Sequence, residues 1–252
     1  MHVAELEPLL ARIDGLKTRL DAARPLTSTQ LQQALDIEYT YESNRIEGNT
    51  LTLRETDLVV NKGLTIGGTP LREHLEAINH YEAILYIREL AARGTALDEA
   101  EVRNIHALVL RGIDRDNAGR YRNLPVMISG SRHVPPQPWA VPKLMDDYGR
   151  WLTDESAKLH PVVRAAEAHE RLVTIHPFLD GNGRTARLVM NLGLLADGYC
   201  IANIPGDTDS RRAYYDALEK ANLEADKTDF ITLIAGHLLH AMQTLLERLG
   251  AA

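Results

Sequence analysis

Apolar residues recur along most of the chain at three- and four-residue steps, the spacing of amphipathic helices. Over 3–22, Leu6, Leu9, Leu10, Ile13, Leu16 and Leu20 form one seam, which Pro25 ends. Thr27-Ser28-Thr29 then offers an N-cap for a helix through Leu31, Leu35 and Ile37 to about Ile46, and Gly48-Asn49 stops it. Thr52 or Thr56 opens a short helix ending near Lys62-Gly63, and Gly67-Gly68-Thr69-Pro70 reads as a loop. Leu75, Ile78, Ala83, Leu85 and Ile87 mark a long helix over 71–92, closed by Arg93-Gly94. Asp98 caps another through Val102, Ile105, Leu108 and Val109, stopped by Gly112. Further helices are predicted over about 143–153, 161–175, 184–196, 210–222 and 229–249.

The pattern changes between 119 and 142. Val126-Met127-Ile128 is a strand signal, Ser129-Gly130-Ser131 a turn, and Pro135, Pro136, Pro138 and Pro142 forbid a regular helix. This stretch predicts a β-hairpin flap inside an otherwise helical protein. Neither an internal repeat nor a low-complexity linker interrupts the chain. The fold class is mainly α. The simplest organisation is an N-terminal helical region (1–97), a core (98–225) and a C-terminal helix packing on it (226–252).

Composition narrows the chemistry. Of 252 residues, 44% are apolar, enough for an ordinary core and too many for disorder. The net charge of −7 argues against a nucleic-acid-binding surface. Arginines nonetheless cluster at 120–122, 184–187 and 211–212, which suits a small phosphate ligand better than a polyanion. The single cysteine, Cys200, excludes a disulfide framework and any multi-cysteine zinc site, and its apolar neighbours predict a structural role. The first residues do not read as a signal peptide, and no apolar run is long enough to span a bilayer, so a cytoplasmic location without membrane attachment is expected.

One stretch concentrates reactive groups: 176–187 reads HPFLDGNGRTAR. Helical phase puts Val162, Ala166, His169, Leu172 and Val173 on one inward face, with His176 at the end of that buried helix. Pro177 breaks the helix and Phe178 can anchor the turn. Gly181-Asn182-Gly183 permits unusual backbone angles before an apolar helix starting at Arg184. A glycine-rich turn entering a helix presents free N–H groups at the positive end of the helix dipole, a place that binds phosphate. Asp180 beside such a nest makes sense as a ligand of Mg²⁺ bridging phosphate oxygens, with Arg184 and Arg187 neutralising further charge. His176, with an ordinary pKa near 6.5, can take a proton from an attacking hydroxyl. Together these parts describe group transfer from a nucleoside polyphosphate to a side-chain hydroxyl.

The stretch resembles the signature of the Fic family, His-x-Phe-x-(Asp/Glu)-Gly-Asn-Gly-Arg-x-x-Arg, at every defined position. The resemblance extends over about 98–225, including the flap and the later segment RRAYYDALEKAN. It implies a helical bundle with a β-hairpin flap, and transfer of AMP from ATP to a Ser, Thr or Tyr hydroxyl of a target protein. It implies His176 as general base, Asp180 on Mg²⁺ (Mn²⁺ being the alternative), and Gly181, Asn182, Gly183 and Arg184 around the phosphates. Arg187 would meet the γ-phosphate, and Tyr214, Tyr215 and Asn222 would flank the nucleotide. The flap (Met127, Ile128, Ser129, Gly130, Ser131, Arg132 and His133) would align the target peptide by strand addition. Gly183 favours the AMP-transfer orientation over the phosphorylating branch, which carries Ala-Asn-Lys-Arg there; phosphocholine-transferring relatives share much of the loop.

A second stretch, SNRIEGN at 43–49, resembles the inhibitory motif of the same family, in the arrangement that precedes the core. Ser43 and Glu47 are four apart and share a helix face. Glu47, near a helix C-terminus, is badly placed for the dipole and calls for a cation. Pairing with Arg187 would withdraw that arginine from the γ-phosphate. The reading is an adenylyltransferase with an internal brake, acting on another protein or on itself. The alternatives are a de-AMPylase that uses Glu47 to activate water, and a nucleotide-responsive regulator of toxin–antitoxin type. The leucine-rich first helix also suggests a homodimer.

Overall fold

Caps decide where the helices start. In the computed structural model, which describes residues 3–251, Ser28 Oγ accepts from the Leu31 N–H at 3.1 Å and starts a helix at Thr29. Thr52 rather than Thr56 opens the next, because Thr52 and Glu55 form a reciprocal capping box. Among the described residues there are ten α-helices: α1 (Val3–Ala23), α2 (Thr29–Ile46), α3 (Leu53–Lys62), α4 (Leu71–Arg93), α5 (Glu99–Val109), α6 (Val141–Arg150), α7 (Pro161–Ile175), α8 (Asn182–Ala196), α9 (Thr208–Glu224) and α10 (Thr228–Arg248). Gly63 and Gly94 close α3 and α4 where the sequence anticipated, both in the left-handed conformation. No helix among the described residues is long and apolar enough to cross a membrane.

Helix α8 is the centre of the bundle. Leu188, Val189, Met190, Leu192 and Leu194 are sealed from water, and so are the polar Arg184, Thr185, Arg187 and Asn191. A helix buried all round needs neighbours on every side, and α8 has them: α7, α4 and α5 pack along it, with α2 near its start. Helices α1 and α10 pack together, and α9 bridges α10 and α7. Ile13 and Leu20 are buried, and Leu6, Leu9, Leu10 and Leu16 pack against the core. The leucine seam thus packs in good part within the chain.

The expected β-hairpin is not formed. Among the described residues there is no strand, and 119–137 runs as turns and extended backbone before a 3₁₀ turn at Pro138–Ala140. The reason is in the arms. Pro125, Pro135 and Pro136 have no N–H to donate, so a cross-strand ladder cannot propagate. Only the turn survives, closed by Ser131 N–H to the Ile128 carbonyl at 3.2 Å. Cys200 is partly covered, and burial pushes its thiol up to about 12, consistent with an inert structural residue.

Two core histidines carry a pH dependence. His80, 1% exposed, is held well below its ordinary value by burial and then by Arg187 and Arg184. His169 is likewise lowered by burial and Arg187, and its Nε2 meets the Tyr214 hydroxyl at 3.0 Å. With folded-state values depressed, the unfolded chain takes up these protons first. Stability is thus complete above about pH 6.5 and declines as acid is added. The melting temperature should fall between about pH 6.5 and about pH 5, and fall less steeply in His80→Met. Identical slopes in the two proteins would contradict the role given to His80.

Candidate active site

His176 ends α7 as its C-cap, in a left-handed conformation (φ 50, ψ 58) that non-glycine residues seldom adopt. Its N–H still reaches the Leu172 carbonyl at 2.9 Å, so the strain sits at the point where the chain turns. Burial lowers the imidazole to about 4; the Val173 carbonyl and Glu47 oppose this, while Arg122 and His133 add to it. At neutral pH the ring is uncharged and free to accept a proton.

The rest of the loop is braced from inside. Phe178 is fully buried and stacks on His106, with ring centroids 3.6 Å apart. Asn182 spans the turn: its Oδ1 accepts from the Phe178 N–H at 3.0 Å and its Nδ2 donates to the Phe178 carbonyl at 2.9 Å. The Gly119 N–H donates to His106 Nδ1 at 2.9 Å, so Nδ1 is the acceptor. The proton therefore sits on Nε2, which donates to the Asp180 carbonyl at 2.9 Å. Gly181 has φ +75, and a Cβ there would meet Val109 at 3.3 Å and His106 at 3.4 Å. Helix α8 starts at Asn182, two residues earlier than its apolar pattern suggests, and its first-turn N–H groups have no intrahelical partner.

Three arginine side chains surround this helix start. Arg184 is buried, with Nη1 3.3 Å from Glu76 and Nη2 3.5 Å from Asp180, and its Nε and Nη1 make no hydrogen bond among the described residues. Arg72 of α4 reaches Asp180 at 2.5 Å and Glu76 at 3.2 Å. Burial pushes the Asp180 carboxyl up, but Arg184, the Gly181 N–H and Arg72 together hold it below the ordinary range. Arg187 is sealed from water and turned toward α2. Its Nε donates to Ser43 Oγ at 2.9 Å, and its Nη2 donates to the Ser43 carbonyl at 2.9 Å and to Glu47 Oε1 at 2.7 Å. Burial disfavours this charge, yet Glu47, Tyr214 and Tyr39 together outweigh it and the guanidinium is held more firmly protonated than usual.

A cleft of about 810 Å³ opens over the loop, large enough for a nucleotide. His176, Gly183, Glu47, Tyr215, Asn222 and flap residues 128–131 line it, with Tyr214 buried at the back. The Glu47 carboxylate comes so near Gly183 that a Cβ there would lie 2.5 Å from Oε1.

The sequence profile of the Fic/DOC family matches residues 96–194. A solved structure of Fic-1 from C. elegans superposes with a TM-score of 0.84 at 32% identity, covering 99% of this chain and 73% of that one. The chain belongs to the Fic/DOC family. A Fic domain-containing signaling protein from Bacteroides thetaiotaomicron gives a TM-score of 0.85 at 27% identity, over 95% of this chain and 97% of that one. Among curated relatives, protein adenylyltransferase Fic of Drosophila yakuba is 39% identical over 230 residues, spanning 89% of this chain and 46% of the relative. The Drosophila persimilis protein of the same name is 36% identical, with 44% of its length covered. The chain thus spans about half the length of the curated relatives it matches.

Within this Fic fold the positions singled out in the sequence divide into two groups. His176, Gly183, Glu47, Ile128, Ser129, Gly130, Ser131, Tyr215 and Asn222 meet at the cleft, whereas Asp180 and Arg184 face α4 and Arg187 faces α2. Met127 is 93% exposed and does not line the cleft. The Arg132 N–H and side chain hold Glu219 of α9, and His133 Nε2 meets the Thr174 carbonyl at 2.9 Å. Asn222 accepts from Thr174 Oγ1. Sequence reasoning missed Arg72, Glu76, His106 and Arg122. Of these only Arg122, in the arginine cluster at 120–122, carried any signal. Replacing Asn182 by Ala should cost about 2–3 kcal/mol in chemical denaturation, since two buried backbone groups of Phe178 lose their partner. A loss below about 0.5 kcal/mol would show that the loop holds its shape without this brace.

Proposed function

We propose that this chain transfers AMP from ATP to a hydroxyl side chain of a protein, another or itself, and that Glu47 restrains the reaction. The observation that carries the reading is a neutral histidine facing a nucleotide-sized cleft beside an open helix N-terminus. The names of the curated relatives support it. In the reaction, the target hydroxyl oxygen bonds to the α-phosphorus of ATP while the bond to the β-bridging oxygen breaks. Pyrophosphate leaves, and the hydroxyl proton passes to His176. The α8 N–H groups and Arg184, with donors still open, would bind the phosphates. Tyr215 and Asn222 would flank the nucleotide, and residues 128–131 would guide the target.

The donor set also fits a divalent cation. Among the described residues no three His, Cys, Asp or Glu side chains converge, so Asp180 would be the one protein carboxylate. That suits Mg²⁺, which keeps several waters and shares phosphate oxygens; Mn²⁺ would be accepted by the same ligands. When bound, such an ion neutralises charge on the α- and β-phosphates. Asp180 must first release Arg72. A cytoplasmic setting accords with this use of ATP.

Glu47 restrains transfer by holding Arg187 away from the γ-phosphate. The same carboxylate lines the cleft with His176, which favours a second activity, hydrolytic removal of AMP with Glu47 activating water. The test compares the wild type, Glu47→Gly and His176→Ala with Glu47→Gly, each given α-labelled or γ-labelled ATP. Glu47→Gly should retain α label at least about tenfold above wild type, and removing His176 should abolish it. No rise in Glu47→Gly would sink the brake, γ label would indicate phosphorylation, and no label at all would end the transfer reading. Loss of AMP release in Glu47→Gly would establish the second activity.

A further inference from the structure

Arg122 takes no part in the chemistry above, yet it is 3% exposed. Its guanidinium makes three hydrogen bonds, every one to a backbone carbonyl. Nε donates to His176 at 2.8 Å, Nη1 to Leu124 at 3.1 Å and Nη2 to Pro136 at 2.5 Å. Its own N–H donates to the Pro177 carbonyl at 2.9 Å. No carboxylate pairs with it among the described residues.

The positions of those carbonyls give the contacts their meaning. Leu124 and Pro136 lie at the two roots of the flap, and His176 is the candidate base. The proline-bearing arms cannot hold each other by a ladder, so the guanidinium stands in for the missing cross-strand bonds. The same group fixes the carbonyl of the left-handed His176. The flap is tied down at its root by a buried fork, and at its tip by the more exposed contact of Arg132 with Glu219.

We infer that Arg122 is a positioning residue that locks the target-guiding flap and His176 into one rigid unit, setting where an acceptor hydroxyl meets the base. The inference rests on the transfer reading. A protein acceptor laid along residues 128–131 is registered by the flap, and its proton acceptor is registered by the loop. Only a link between the two makes the distance reproducible. Lysine cannot replace the link, because one ammonium does not reproduce a planar fork of donors.

The test places Arg122→Lys and Arg122→Met in the Glu47→Gly chain and reads three quantities. The kcat for transfer of α label to protein should fall on the order of 100-fold, as expected for a misplaced reacting pair. KM for ATP should stay within about twofold, because the phosphate-binding groups are elsewhere. Amide exchange over 123–137 should accelerate while α7 and α8 exchange as before. A residue that merely stabilised the fold would instead lower protection of α7 and α8 and weaken ATP binding along with the rate. A kcat within about threefold of the parent, or unchanged flap exchange, overturns the inference. If Glu47→Gly itself transfers no AMP, the transfer reading fails, and flap exchange alone decides whether the clamp exists. Should both variants fail to fold, the intact chain still tests it by NMR. The Arg122 Nε–H must exchange slowly with solvent, and fast exchange refutes the clamp.

Discussion

A guanidinium in the middle of a buried helix must have its donors satisfied by protein, because water cannot reach it. Arg187 imposes this condition on the whole N-terminal half. Its partners are a hydroxyl, a backbone carbonyl and a carboxylate, all from α2 and its C-cap, together with the Tyr214 hydroxyl at 3.4 Å. Helix α2 must therefore lie across the start of α8, and α3 and α4 follow from where α2 ends. The pair is also asymmetric: Arg187 is 1% exposed and Glu47 is 32% exposed. Glu47, the C-cap of its helix, is the partner of the pair with access to water.

Arg184 and Arg122 solve the same problem differently, and the differences match their places. Arg184 sits between Glu76 and Asp180 with donors left over, which leaves room for anionic groups at the helix start. Arg122 places each of its three nitrogens on a backbone carbonyl, which suits a strut. Arg184 is paired with carboxylates but keeps open donors, whereas Arg122 has no carboxylate among the described residues and spends its donors on the backbone.

The contrast between expectation and structure is sharpest at the flap. The Val-Met-Ile run and the Ser-Gly-Ser turn are hairpin signals, and the turn did form. The strands did not, because prolines remove the donors a ladder needs, and because the arms find other partners: Arg122 at the root, Thr174 and Glu219 farther out. Local propensity competes with such long-range bonds and loses. Helix caps fared better, since Ser28, Thr52 and Asp98 bond within three residues and owe nothing to distant parts.

The sequence by itself determined the helical class, most helix boundaries, the loop at 176–187 and the spacing that puts Ser43 and Glu47 on one face. Each of these follows from interactions within a few residues, which periodicity and capping record. Only the tertiary structure decided that Glu47 reaches Arg187, that Gly183 leaves space for its carboxylate, and that Arg72 and Glu76 come to the helix start. These contacts join residues far apart in the chain. Their existence depends on how α2 and α4 cross α8, and no local pattern encodes that crossing.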